Sequence, residues 1–529
     1  MFTKSDNIKE EYCAQIVRIN ELSPIENSDF LVKANINDAY EVVVGKNDVK
    51  VGDIMVYVKM ETQVNNEFLS VNNQFELGER QKNQNYKEVQ ALIDEGKEDE
   101  AKKLVGYFNK HGRVRMVRLR GCPSMGVLFT IDSLAKWKPQ IKEYDFSQCF
   151  TPNAEGIVEP FNFDTIDGEL FIKAFVPKIQ VPQVRKQNAT QKTNRKLLRR
   201  FDRLVDGQFT IHYDTNMLRE NMWRIKPDTV VTISVKMHGS SHIVGNLLVK
   251  VPKTSIAAKS QAAKAMKAIR GLRKREQRFY WQKELVKSLI NHQRNIINSQ
   301  YRLKYGNITS SRKVIKNKYI NLGPQKHFYG VDIWTGYGNL LYPYLTEGMT
   351  VYSEICGYVT GTDSPIQKEA KTKIPFDYGC EPGENFIMPY RITFTDNEGN
   401  RTEWEAMEVY GWTLNLLKEH PELANRVKPL QIIYHGTLSD LYPEISVTEH
   451  WNRNVLNAMI HDKEHFGMEL DEPLCKNKVP REGIVLRIDN DVKAEAFKLK
   501  TFRFLDREEE NVDNGEVDDE MAEGYGDEQ

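Results

Sequence analysis

Between residues 13 and 60 the chain is written in short runs, "AQIVRINEL", "FLVKANIND" and "YEVVVGKNDVKVGDIMVYVKM", that alternate apolar and polar residues and break at "SPIENSD" and "VKVGD". A period of two puts alternate side chains on opposite faces of a strand, and Gly, Pro, Asn and Asp clusters mark the turns between strands. The pattern predicts a small antiparallel β-barrel. A polar, helix-favouring stretch near 80–110 interrupts it, and "RVRMVRLRGCPSMGVLFTI" then resumes strand character. Arg113, Arg115, Arg118 and Arg120 fall on nearly alternating positions of that run, so a basic face on the barrel is expected, suited to a polyanion.

With 529 residues the chain exceeds one ordinary core, so at least two domains are expected. Its 74 basic and 74 acidic residues cancel, but they are segregated. Residues 251–318 hold eighteen Lys or Arg against Glu276 and Glu284, in a proline-poor sequence rich in helix formers that predicts one or two long helices. Phe279, Tyr280 and Trp281 sit inside this basic run, a mixture that suits nucleic-acid backbone and bases. The last 24 residues are half acidic and predict a disordered tail. A tail of that sign either keeps the chain soluble or competes with RNA for a basic groove. Residues 150–225, with "PKIQVPQVRKQNATQKTNRKLLRR", read as a connector that ends in a short helix. The six cysteines show no CxxC spacing, which points to a reducing compartment and away from structural zinc. Neither a signal peptide nor a membrane-spanning run is found, so a soluble, cytoplasmic protein is expected.

One lysine stands out. In "ISVKMHGSSHIVGN", Lys236 closes an apolar alternating run at a small, flexible turn. A lysine amine is nucleophilic only when neutral, and its ordinary pKa of about 10.4 keeps it charged at pH 7. Desolvation or neighbouring cations must therefore lower it. "EAFKLKTF" supplies Lys498 and Lys500 on one face of a strand-like segment, able both to bind phosphate and to favour a neutral third lysine.

After "KMHGSS" come, in order, "TSSRKVIKN", "VYSEICGYV", "IMPYRITF", "REGIVLRI" and "FKLK". This series resembles the nucleotidyltransferase motifs of ATP-dependent polynucleotide ligases and mRNA capping enzymes. His238, in place of the aspartate of the family's K-x-D-G form, resembles the RNA ligase 2 branch. The upstream "HYDTNMLRENMWRIKPDTVVTISVKMHGSS" and the N-terminal "VVVGKNDVKVGDIMVYV" are similar to bacterial and phage RNA ligases with an N-terminal OB domain. The family usually has a glutamate before the reactive lysine, where this chain has Val235.

The resemblance implies a role for each motif residue. Lys236 would attack the α-phosphorus of ATP and carry AMP. His238 and Gly239 would shape the turn at the nucleotide, Arg312 would contact phosphate or ribose, Glu354 would accept a ribose hydroxyl, and Tyr390 would stack on the purine. Glu482 would help hold Mg²⁺ or Mn²⁺, and Lys498 and Lys500 would neutralise the triphosphate.

The resemblance further implies an α+β architecture: an OB-type barrel over 1–145 with the helical insertion near 80–110, a connector over 146–204, and an ATP-grasp-like adenylation domain of antiparallel sheets with helices over 205–505; the acidic tail over 506–529 lies outside the resemblance. The basic helices form an insertion at 251–305 expected to grip nucleic acid. The function implied is ATP-dependent RNA ligation. Nicks in duplex RNA or RNA/DNA hybrids would be sealed through lysyl-AMP and an adenylated 5′-end by a monomer, in the manner of a bacteriophage RNA-repair enzyme. The alternatives are a capping-type guanylyltransferase and a non-catalytic RNA-binding protein on a decayed transferase fold.

Overall fold

In the computed structural model, residues 1–6, 8–154, 156–176, 204–213, 215–253, 256–278, 283–317, 329–369, 372–489 and 494–513 are described. The chain is mixed helix and sheet, and nearly all strand pairs are antiparallel. The exception among the paired strands is Asn216–Met217, which runs parallel to Phe497 and Lys498.

The N-terminal strands do not close into a barrel among the described residues. They form a four-stranded sheet in the order Val127–Thr130, Ile54–Val58, Ala14–Arg18, Phe161–Phe163, and a separate three-stranded sheet of Leu22–Pro24, Leu31–Ile36 and Tyr40–Gly45. The physical reason lies in "IMVYV", which is apolar on both faces, and in "AQIVR", which buries Ile16 on one face and Val17 on the other. Ile16, Val56 and Val58 face one core, with Phe68, Phe129, Leu134 and Trp137. Val17, Met55 and Tyr57 face a second, with Ala34, Ile36, Val42 and Met125. A sheet covered on both sides needs no closure to hide its apolar face. The helices Asn66–Val71 and Ile131–Trp137 supply one of the covers through Phe68, Leu69, Leu134 and Trp137. Helices Tyr86–Asp94 and Glu98–Lys103 lie within the interrupting stretch.

Two boundaries differ from the sequence reading. Phe161–Phe163 pairs with Ala14–Ile16, and Ile172–Ala174 pairs with Thr62–Val64, so part of the expected connector belongs to the N-terminal unit. Its most basic stretch, 177–203, lies outside the described residues. The expected disordered tail begins instead as a helix, Phe502–Asp513, because Phe504 and Leu505 are buried and the acidic side chains that follow find cations. Residues 514–529 lie outside the described residues.

Two five-stranded sheets make up the C-terminal half. The first is ordered Asn216–Met217, Glu495–Lys500, Gly483–Ile488, Val230–Lys236, Ile432–Thr437. It packs on Val455, Leu456, Met459 and Ile460 of the helix Trp451–His461. The second is ordered Tyr301–Ser310, Ser240–Pro252, Met349–Gly357, Asn385–Thr395, Arg401–Glu403. It packs on the helices Ile333–Leu341 and Ala406–Glu419 through Trp334, Tyr337, Val409 and Leu416. A buried ionic clasp joins the sheets: Arg487 of the first pairs with Glu403 of the second at 3.3 Å, and Glu403 also holds Arg391 at 2.6 Å.

The basic insertion is a helical hairpin, Ile256–Arg278 and Lys283–Asn298, set at the far end of the paired strands Ser240–Pro252 and Tyr301–Ser310. Ala262, Ala265, Val286 and Ile290 are buried, while Lys264, Lys267, Arg270, Arg273 and Lys274 are exposed. The aromatic triplet Phe279, Tyr280 and Trp281 lies outside the described residues.

Candidate functional site

Lys236 is the last residue of its strand in the first sheet, and Ser240 is the first residue of the next strand, in the second sheet. Met237, His238 and Gly239 are therefore the crossing between sheets, a place where side chains from both can converge. A β-carbon on Gly239 would lie 2.3 Å from the Ile355 carbonyl oxygen and 2.9 Å from Cγ of Glu354, so only glycine lets the crossing lie this close to the neighbouring strand. The Gly239 N–H donates to Glu354 Oε1 at 3.1 Å, and the Gly239 carbonyl accepts from Gln367 Nε2 at 2.9 Å. The His238 N–H donates to the Tyr378 hydroxyl at 2.7 Å. Rings of Phe376 and Phe504 meet the His238 ring edge-on, with centroids at 4.9 and 5.0 Å. Glu354 is the one residue of Met349–Gly357 that is not fully buried, as a carboxylate kept for a polar partner in an apolar strand should be.

Glu482 reaches Lys236 from the start of the adjacent strand. Its Oε1 lies 2.7 Å from Lys236 Nζ, and its Oε2 lies 3.7 Å from His238 Nδ1. Glu482 is buried, and its Oε2 has no hydrogen-bond partner among the described residues. Burial opposes charge on Lys236, but the Glu482 carboxylate outweighs both that and the repulsion of Lys500, so the Lys236 pKa is raised. The sequence reading expected it lowered by neighbouring cations. The difference is one of distance, because a carboxylate in hydrogen-bond contact acts more strongly than lysines further along the sheet.

Lys498 and Lys500 share a face of the strand Glu495–Lys500. Register places Lys236 opposite Gly483, and Gly483 opposite Lys500, so the two lysines flank a residue without a side chain. At strand spacings of about 4.8 Å their backbones are roughly 10 Å apart. Burial lowers the Lys498 pKa against the weak pull of Glu11, which lies 4.0 Å away. Lys500 behaves oppositely: both oxygens of Glu508 sit 2.6 and 2.7 Å from its Nζ, and its pKa is raised despite burial.

The remaining motif residues are placed by the second sheet. Arg312 is half-buried in the bend after Tyr301–Ser310, two residues past Ser310, which pairs with Ile243 near the start of the strand that leaves Gly239. Tyr390, on Asn385–Thr395, packs against the apolar cluster that contains Val235 and Met237. His238, Gly239, Glu354 and Glu482 form one connected group around Lys236, while Tyr390 is on a strand of the second sheet and Arg312 follows the end of another. Tyr378, Gln367, Phe376, Phe504 and Glu508 were not singled out from sequence. Their roles depend on contacts across the fold, and only Glu508, eight residues past Lys500 in an acidic run, carried any local signal.

No protein-family model matches the chain, and no curated protein matches it. Among solved structures it is similar to Naegleria gruberi RNA ligase with PPi, at 14% identity and a TM-score of 0.46, covering 94% of this chain and 99% of that one. It is similar to a mutant of the same ligase with ATP and Mn, at 14% identity and a TM-score of 0.45, again over 94% and 99% of the two chains. A mutant with AMP and Mn gives 14% identity and a TM-score of 0.44 over the same shares. Likeness at this level carries no weight for activity, which has to rest on the chain's own residues.

Proposed function

We propose that the chain is an ATP-dependent RNA ligase that works through a covalent nucleotide on Lys236. The observation that supports this best is the convergence, at one crossing between two sheets, of a lysine, a buried carboxylate beside it, a second carboxylate tied to the glycine turn, and two further lysines on the same sheet face. Attack by Lys236 Nζ on the α-phosphorus forms an N–P bond and breaks the bond to pyrophosphate. The amine must shed protons as it does so, and Glu482 Oε1 at 2.7 Å is the acceptor in reach. Lys498 and Lys500 would offset the charge of the leaving pyrophosphate, and in phosphoryl transfer such charge neutralisation does most of the work. In this reading Glu354 would accept a ribose hydroxyl, Arg312 would contact phosphate or ribose, and Tyr390 would stack on the face of the base.

A divalent cation, Mg²⁺ or Mn²⁺, fits the residues present. Among the described residues no cluster of three or more His, Cys, Asp or Glu would hold a metal alone, but Glu482 keeps one buried oxygen without a hydrogen-bond partner there. Magnesium commonly takes one or two carboxylates and completes its shell with substrate phosphates and water. When bound, it would neutralise phosphate charge and help order the triphosphate.

The AMP would then pass to an RNA 5′-phosphate, and an adjacent 3′-hydroxyl would displace it and seal the strand. RNA as partner is supported by the basic hairpin, where Lys264, Lys267, Arg270, Arg273 and Lys274 are exposed among the described side chains of Ile256–Arg278. No helix of the described residues is long and apolar enough to cross a membrane.

The test is incubation with α-labelled ATP or GTP. ATP should leave an acid-labile adduct on the protein that is lost in Lys236→Ala and that chases onto a nicked RNA duplex with 5′-phosphate. An adduct with GTP alone would make the protein a guanylyltransferase. No adduct with either, with RNA binding intact, would make it a non-catalytic RNA-binding protein.

A further inference from the structure

The helix Phe502–Asp513 touches both halves of the molecule, through Arg113 and Arg118 on one side and His238 and Lys500 on the other. Its first turn is an anchor: Thr501 caps it by accepting the Phe504 N–H at 3.1 Å, Leu505 enters the N-terminal core, and Phe504 packs on His238. The residues that follow are mostly acidic, and three of their carboxylates go to cations on both sides, while Glu510 pairs with Arg507 of the helix itself. Asp506 takes Arg118 at 2.8 Å, Glu508 takes Lys500, and Glu509 takes Arg113 and the Met116 N–H. Arg113 and Arg118 are two of the arginines that the sequence marks as a polyanion-binding face. Lys500 belongs to the candidate nucleotide site.

Three carboxylates within about one helical turn, Asp506, Glu508 and Glu509, each take a separate cation, and phosphates of a strand could take those cations instead. Arginine and lysine gathered between a β unit and a transferase site suit a phosphate backbone. Arg113 is buried and the Lys500 side chain is only 12% exposed, so a strand can reach them only if the helix leaves. The chain is built to allow this in part. Apolar burial is concentrated at Phe504 and Leu505, while residues 506–510 are all half-buried; displacing them would also part Arg507 from the buried Glu369, and burial pushes the Glu509 carboxyl up to about 8 beside Arg113. Glu11 and Glu61 also face Lys498 and Lys500 and stay behind, which keeps the site from being uniformly positive.

We propose that the acidic turns of this helix stand in for a nucleic-acid phosphate backbone, and that RNA displaces residues 506–510 to reach Arg113, Arg118 and Lys500. The proposal rests on the ligase reading for its choice of RNA, but its test reads binding and not adenylylation.

The experiment compares the full chain with the triple variant Asp506→Asn, Glu508→Gln, Glu509→Gln and with a chain ended after Leu505, which retains the anchor. Affinity for a fluorescent, 5′-phosphorylated nicked RNA duplex is measured at several salt concentrations. Both altered chains should bind about tenfold or more tightly. Their salt dependence should steepen by about two to three units in log–log slope, since roughly 0.7 to 0.9 counterion is released per phosphate neutralised and three cations become available. Adding Arg118→Ala to the shortened chain should remove part of the gain. Unchanged RNA affinity in the shortened chain overturns the proposal, as does a gain that Arg118→Ala leaves whole. Tighter binding of free ATP or pyrophosphate with RNA affinity unmoved would make the helix a nucleotide gate, and would equally overturn it. Labelled-ATP adducts measured on the same chains separate this failure from failure of the ligase reading. Circular dichroism identifies a triple variant that has not folded, in which case the shortened chain decides.

Discussion

Lys236 and Lys500 stand on the same rank of one sheet, each directly opposite Gly483 on the strand between them. Side chains on one rank of adjacent strands share a face, so the glycine leaves an open floor between two amines. Glu482, the residue before it, fills the space from the side and takes Lys236.

A β-carbon at Gly483 would run into the backbone of the neighbouring strand. It would lie 2.1 Å from the Leu499 carbonyl oxygen, with the Gly483 φ at 153°. Gly483→Ala should destabilise the chain by about 1–3 kcal/mol in urea unfolding and reduce the nucleotide adduct. Gly411, in the helix Ala406–Glu419, is the control, because a β-carbon there would meet nothing within 4 Å. Gly411→Ala should be neutral or stabilising by up to about 1 kcal/mol.

Because Glu482 raises the Lys236 pKa, the neutral amine is scarce near pH 7 and grows as pH rises. Adduct formation should therefore increase with pH, approaching about tenfold per unit between roughly pH 6.5 and 9. Glu482→Gln removes the partner, leaves burial and Lys500 to lower the pKa, and should shift the profile to lower pH while reducing its ceiling. A profile unmoved by Glu482→Gln would show that the pair does not govern the amine.

His242 is buried beside Tyr337 in the second sheet, and burial pushes its pKa down to about 4. Its folded value lies below the unfolded value of about 6.5, so the unfolded chain binds a proton that the folded chain refuses. The stability His242 contributes is whole above that unfolded value and is lost as pH falls toward the folded one. A shift of that size corresponds to about 3 kcal/mol. Urea unfolding from pH 7 to pH 4 should show this loss, and His242→Leu should flatten that part of the pH dependence.

The hairpin should bear on nucleic acid far from the reacting amine. The strand Ser240–Pro252 leads from the crossing to its base, about 40 Å away at roughly 3.3 Å per residue. Replacing Lys264, Lys267, Arg270, Arg273 and Lys274 with glutamine should weaken binding of a long RNA duplex and make its salt dependence shallower by up to about 0.7 to 0.9 per cation in contact. A short duplex, unable to span that distance, should be affected far less. Equal loss on both would place the hairpin's effect elsewhere.

How much of this was legible varies by region. The strands Val230–Lys236 and Glu495–Lys500, and the helices at 256–298, follow from local periodicity and helix-forming composition. The barrel expectation failed because alternation was read where "IMVYV" is in fact apolar on both sides, and a doubly covered sheet writes that same run. The disordered tail failed over its first third, residues 506–513, for a different reason. Acidic composition describes solvation in isolation and carries no information about Arg113, Arg118 and Lys500 waiting elsewhere in the fold.

The sequence by itself determined which chemical groups are available and where the chain must turn. Lys236 ends an apolar strand at a glycine turn, and Lys498 and Lys500 alternate onto one face, because strand periodicity is a local property of the backbone. Tertiary structure alone decided which charges meet: Glu482 on Lys236, Glu354 on Gly239, Glu508 on Lys500. Electrostatic interactions depend on separation in space and on the water excluded between the partners, and neither is written in the spacing of residues along a chain.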